Sequence, residues 1–258
     1  RIRDALKTHW GYDTFLPLQQ EAIQCVLDDR DSVVVLPTGG GKSLCFQAPA
    51  VVRPGVGLVV SPLISLMKDQ VDGLNAAGVP AACLNSSMEP AERRRVYDGL
   101  RAGELKLLYV APERLVQAGM LETLVESDVS LVAIDEAHCI SQWGHDFRPE
   151  YRQLKLLKET LPGTAIHAYT ATATQQVRDD IVEELGLDGP EVLVGSFDRP
   201  NLAYKVMVRD GAIDQMSTII DRHPGESGIV YCISRRDVEK TAEQLNRRGY
   251  RSRPYHAG

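Results

Sequence analysis

Short apolar runs, each about the length of one strand, recur along this chain with helical patterns between them: "SVVVL", "VGLVV", "LKLLYV", "VSLVAI", "AIHAY" and "EVLV". The runs are rich in Val, Leu and Ile, so they read as buried strands that need cover on both faces, as in a parallel sheet. The segments between supply that cover. Leu63, Leu66, Met67, Val71 and Leu74, and later Val177, Ile181 and Leu185, follow the spacing of one helical face. Such alternation predicts an α/β fold, a mainly parallel sheet flanked by helices on both sides. With 258 residues, 43% of them hydrophobic, the chain has apolar material for one full core and part of another.

The rhythm breaks at "SFDRPNLAYKV", so a domain boundary is expected between Gly195 and Asn201, giving a first domain over 1–196 and a second over 197–258. The second restarts the pattern with a helix carrying Ile213, Met216, Ile219 and Ile220, the strand "GIVYCI", and a helix carrying Val238, Ala242 and Leu245. It reads as incomplete, because so few elements cannot cover both faces of a sheet.

No apolar stretch approaches the roughly 20 residues needed to cross a bilayer, and "RIRDALKTHW" lacks signal-peptide architecture, so no membrane contact and a cytoplasmic location are expected. Five cysteines, scattered and never in C-x-x-C spacing, support neither a disulfide framework nor a zinc site. The net charge of −6 argues mildly against a nucleic-acid partner, but it is an average. Arg93 to Arg95, Arg148, Arg152, Arg235 and Arg236 offer local positive charge, or simply solvated faces.

Two motifs carry chemistry. In "LPTGGGKS", Leu36 to Ser43, glycines after an apolar strand free the backbone to turn its N–H groups inward at a helix N-terminus, which suits a triphosphate. Thr38, Gly39, Gly40 and Gly41 form the cradle, Lys42 reaches the outer phosphates and Ser43 ligates Mg²⁺. A glycine-rich turn with a solvated lysine is the plain alternative. In "LVAIDEAHC", Asp135 and Glu136 end a strand, and the carboxyl ends of strands are where an open α/β sheet gathers its ligands. Facing the glycine loop across a nucleotide, Asp135 would hold the metal and Glu136 would deprotonate the attacking water.

"LPTGGGKS", "SPLISLMKDQV", "YVAPERL", "IDEAHCISQWGHDFRPEY", "YTATAT", "FDRPNL" and "IVYC" occur in the order of superfamily-two helicases, and the chain resembles the RecQ family of DNA helicases over nearly its whole length. The compact spacings suggest a bacterial member. The resemblance implies a first RecA-like domain and the opening of a second, ATP and Mg²⁺ as cofactors, single-stranded and forked DNA as partners, 3′-to-5′ movement, and a part in recombination and repair.

It also implies residue roles. "GYDTFLPLQQ" resembles the adenine-binding motif, with Tyr12 stacking on the base and Gln19 pairing with its edge; the family usually has arginine where this chain has Leu16. His138 joins the nucleotide site. Trp143, Phe147 and Arg148 resemble the aromatic-rich loop that grips DNA, and stacking on rings suits unpaired bases whatever their sequence. Ser61, Lys68 and Arg235 are candidate contacts to the strand backbone, and Gln142, Thr170 and Thr172 candidate couplers between ATP and DNA. The arginine finger of such enzymes is not expected within this sequence, so little turnover is expected from it alone. The rival readings are an RNA-directed helicase of the same superfamily and a nucleotide-switched binding module without motor activity.

Overall fold

In the computed structural model of the chain, which describes residues 1–115, 117, 119–196 and 202–256, two compact units are distinguished, Arg1–Asp198 and Arg199–Gly258. The boundary expected near 195–201 falls mostly on 197–201, outside the described residues.

The first unit is built on one sheet. Its strands are β1 (Ser32–Val35), β2 (Val56–Val60), β3 (Ala81–Leu84), β4 (Leu107–Val110), β5 (Val129–Ile134), β6 (Ile166–Thr170) and β7 (Glu191–Val194). They lie in the order β3-β4-β2-β5-β6-β1-β7, and every registered pair is parallel. Successive side chains of one strand enter different cores. Val33, Val35, Leu58, Val60, Val132 and Ile134 pack with Val177, Ile181 and Leu185 on one face. Val34, Val59, Leu131, Ala133 and Tyr169 pack with Val26, Phe46, Met67 and Leu74 on the other. Each aliphatic side chain removed from water in this way contributes about 2 kcal/mol, which is why continuous apolar runs settle in the middle of a two-sided sheet.

Helix ends follow local chemistry. The Gln175–Leu185 helix starts where Thr174 Oγ1 accepts from the Val177 N–H and stops at Gly186, whose φ of 64° is left-handed. At the amino edge of the sheet the buried Asp31 carboxylate accepts from Lys158 Nζ at 2.6 Å, from the Ile166 N–H at 2.8 Å and from the Asp188 N–H at 2.9 Å. One side chain thereby joins the starts of β1 and β6, the Lys155–Thr160 helix and the turn before β7.

Two departures from the sequence reading are informative. Ala81–Leu84 forms the edge strand β3, which its "AACL" sequence, without a β-branched residue, does not announce; pairing with β4 makes it a strand. Conversely "GIVYCI" is not a strand. A strand needs a partner for its N–H and C=O groups, and among the described residues none pairs with 228–233, so Ile229, Tyr231 and Ile233 stand exposed.

The second unit consists of two helices, Ala212–Asp221 and Arg235–Arg247. Tyr250 OH donates to Asp221 at 2.8 Å and Arg248 pairs with Asp214 at 2.7 Å, while among the described residues of this unit only Ala242 and Leu245 are buried. No helix among the described residues is long and apolar enough to cross a membrane.

Candidate active site

The strand order decides which loops meet. In the run β2-β5-β6-β1 all strands are parallel, so their carboxyl ends form one edge. Along that edge stand Ser61 after β2, Asp135 and Glu136 after β5, Thr170 ending β6, and Leu36 to Ser43 after β1.

The glycine loop turns as its composition demands. Gly39 and Gly41 have φ of 85° and 70°, and a Cβ on Gly40 would meet Pro37 O at 2.9 Å. The Lys42–Val52 helix then begins; the Leu44 N–H donates to Gly41 O at 3.2 Å, while the N–H groups of Lys42 and Ser43 precede the first such bond. Lys42 Nζ donates to Leu36 O at 3.3 Å, and its charge is close enough to favour the ionised forms of both Asp135 and Glu136. Lysine and acid pair therefore share one site.

Asp135 is buried. Burial, followed by the neighbouring Glu136 charge, pushes its carboxyl up to about 6, against the opposing pull of the Glu136 N–H, Lys42 and Ser61. A buried carboxylate with a serine hydroxyl at the same sheet edge offers the oxygen ligands that a hard divalent cation takes, and a cation there would favour the ionised form that burial opposes. Glu136 has φ of 48°, a left-handed backbone that costs a non-glycine residue energy and marks it as held there by its surroundings. The hydrogen bond with His138 chiefly keeps its carboxyl below the usual range, although burial opposes it. Thr170 Oγ1 donates to Thr172 O at 3.2 Å, which leaves His138 Nδ1 as donor to Thr170 Oγ1 at 2.8 Å, with Glu136 Oε2 3.3 Å away.

Ser61, expected on the DNA track, is only 1% exposed and donates to Asp135 Oδ2 at 3.4 Å. A hydroxyl so enclosed cannot reach a nucleic-acid backbone. Gln19 also departs from expectation, since both ends of its buried amide are engaged by the chain itself. Its Oε1 accepts from the Leu16 N–H at 2.7 Å, and its Nε2 donates to Gly41 O at 3.1 Å, pinning the glycine loop. Tyr12 is 58% exposed, and the residues that follow it, Asp13, Thr14, Phe15, Leu16 and Pro17, line a cavity of about 510 Å³ together with Arg3 and Glu21.

The loop after His138 is braced at both ends. Ser141 Oγ donates to Asp180 at 2.5 Å and accepts from the Trp143 N–H at 3.1 Å, while Arg148 Nη1 donates to Pro62 O at 3.2 Å. His145 stacks on His138 with ring centroids 4.0 Å apart, so the loop touches the residue that contacts Glu136. Trp143 is 68% exposed, and Phe147 is half-buried with the Arg152 guanidinium 5.4 Å from its ring centroid. Lys68, Gln142 and Thr172 are exposed, and Arg235 opens the second unit's Arg235–Arg247 helix. Sequence reasoning passed over Gln47, Gln70 and Tyr109, which reach this site from three elements, and His145, which carried no signal beyond its place in the loop.

The sequence profile of DEAD/DEAH box helicases matches residues 16–181, which span the glycine loop, the acid pair and the aromatic loop. The chain belongs to that family. Within this helicase family, it is 49% identical over 255 residues to the ATP-dependent DNA helicase RecQ of Pasteurella multocida, covering 99% of this chain and 40% of that protein. It is 43% identical over 260 residues to the enzyme of the same name from Bacillus subtilis, covering 100% of this chain and 44% of that protein. The RecQ resemblance carried by the motifs is thus borne out, and the chain spans about two-fifths of the length of these relatives. Among solved structures, the DUF1998 helicase MrfA bound to DNA and AMPPNP is similar with a TM-score of 0.72 at 20% identity, over 95% of this chain and 37% of that one. A hypothetical ATP-dependent RNA helicase from Sulfolobus tokodaii follows at 0.59 and 21%, over 94% and 71%. At such identities the likeness concerns the fold, and it agrees with the parallel α/β architecture expected from the sequence.

Proposed function

We propose that the chain is the ATP-binding part of an ATP-dependent DNA helicase of RecQ type, in which 1–196 form the first RecA-like domain and 197–258 open the second. The observation that carries this reading is the meeting of Lys42 with Asp135 and Glu136 at one sheet edge. The glycine loop and the free N–H groups of the Lys42–Val52 helix receive the phosphates, and Lys42 stabilises charge on the transferring phosphoryl group. Ser43 and Asp135 would hold Mg²⁺, which supplies further charge neutralisation there. Glu136, kept ionised by His138, orients water and takes its proton. Ser61 orients Asp135, and Thr170 holds His138.

Base recognition falls to Tyr12 and the adjoining cavity; Gln19 meets the base only by exchanging one of its present partners. Trp143, with Phe147 and Arg148, stacks on and grips single-stranded DNA, and the His145–His138 stack conveys that grip toward Glu136. Lys68 and Arg235 add contacts to the DNA backbone, with Gln142 and Thr172 in the coupling path. Movement from 3′ to 5′, action on forked duplexes and a part in recombination and repair rest on the RecQ resemblance.

The test is ATP hydrolysis by the full-length protein with and without single-stranded DNA. Glu136→Gln keeps nucleotide affinity and loses turnover by about a hundredfold or more, the range for removal of a general base. Trp143→Ala keeps basal turnover and loses the DNA response. Stimulation by RNA in preference to DNA would favour the RNA-directed reading, and turnover insensitive to either strand would favour a nucleotide-switched binding module.

A further inference from the structure

The Ser43 hydroxyl is held from behind by an amide that the helicase motifs do not assign. Gln70 Nε2 donates to Ser43 Oγ at 3.1 Å. Gln70 Oε1 in turn accepts from Tyr109 OH at 2.9 Å and from Gln47 Nε2 at 3.0 Å, and Gln47 Nε2 also donates to Tyr109 OH at 2.8 Å. The four side chains come from three elements: the Lys42–Val52 helix, the Ile64–Ala76 helix and β4. Gln47 and Tyr109 are buried, and burial holds the Tyr109 hydroxyl well above its ordinary range, so it stays a protonated donor. Because the phenol accepts from Gln47, its own proton goes to Gln70 Oε1. The Gln70 amide is therefore turned with its NH₂ toward Ser43.

A serine oxygen has two lone pairs and one proton. Gln70 occupies one lone pair, leaving the other free. We propose that Gln70 is a positioning residue, locked by Tyr109 and Gln47, that aims the remaining lone pair of Ser43 at a divalent cation in the nucleotide site. The inference rests on the reading of Ser43 as a ligand of that cation. Partners of this kind fix the orientation of metal-bound groups, and their loss typically lowers metal affinity by about 10- to 100-fold.

The experiment is a titration of Mg²⁺ into full-length protein with a fluorescent ATP analogue, reading half-saturation for metal-dependent binding, alongside metal-free binding and the thermal midpoint. Gln70→Met raises the Mg²⁺ concentration at half-saturation about tenfold. It leaves metal-free binding unchanged and adds nothing in a Ser43→Ala background. Tyr109→Phe, which keeps the buried ring and unlocks the amide, shifts the Mg²⁺ dependence in the same direction by a smaller factor. If Ser43→Ala shifts the Mg²⁺ dependence while Gln70→Met and Tyr109→Phe change only the thermal midpoint, the positioning role is overturned and the nucleotide site stands. If the wild type binds the analogue without regard to Mg²⁺, or Ser43→Ala changes nothing, the reading of Ser43 falls and the inference with it.

Discussion

At the residue scale, the site depends on backbone conformations that few side chains tolerate. Gly41 has φ of 70°, and a Cβ there would stand 2.2 Å from Gln19 Nε2. Gly41→Ala therefore meets two penalties: about 1–2 kcal/mol for a left-handed alanine and the eviction of the amide that pins the loop. The expected outcome is a lower denaturation midpoint together with nucleotide affinity weakened at least tenfold, measured by chemical denaturation and by titration calorimetry. Motif spacing made it legible that Lys42, Asp135 and Glu136 gather at one sheet edge. It did not show that Ser61 is enclosed or that Gln19 is already bonded to Gly41, because the depth of a side chain and the partners of an amide depend on packing between distant segments. Gln70 and Tyr109 lie within quoted motifs, yet their contact with each other and with Gln47 was not legible for the same reason.

At the element scale, Asp31 is the joint on which strand starts and a helix converge. Burial by itself would raise its carboxyl, but Lys158 and the two backbone N–H groups outweigh that and hold it below the ordinary carboxylate value of 3.8. A carboxyl depressed in the folded state stabilises the fold above its unfolded value, and the contribution disappears as pH falls through the folded one. Asp31→Asn is expected to cost about 2 kcal/mol at neutral pH, since a charge-assisted bond is lost and an amide NH₂ is turned toward backbone donors. In urea melts the gap between variant and wild type should close as pH drops below about 4. A gap that persists undiminished under acid conditions would show that the charge is not its source. Six of the strands were readable from apolar runs; for β1, β2, β4, β5 and β6 the reason is cover on both faces, whereas β7 is an edge strand whose Val192 and Val194 stand exposed. β3 was not, since its pairing with β4 and not its composition makes it a strand.

At the scale of the whole molecule, the two units differ in how far they meet their own requirements for burial. In Arg1–Asp198 the sheet is covered on both faces except at its exposed edge strand β7, whereas in Arg199–Gly258 the apolar residues Val206, Val208, Ile229 and Ile233 are exposed and, among the described residues, only Ala242 and Leu245 are buried. Limited proteolysis of this chain should first cut within 202–234 and leave a resistant fragment close to residues 1–196, with mass spectrometry of the products as the check. Initial cleavage inside the sheet unit would contradict this ranking. The sequence reading of "GIVYCI" as a strand failed at this scale, because local apolar content cannot supply a neighbouring strand.

The insertion of β6 between β5 and β1 sets a width. Two interstrand spacings, about 10 Å, separate the strand bearing the carboxylates from the strand leading into the glycine turn, with Thr170 as the floor between them. Across such a slot the two walls have no common backbone ladder. On the proposed reading, a bound anion with its counterion would be the strut between them.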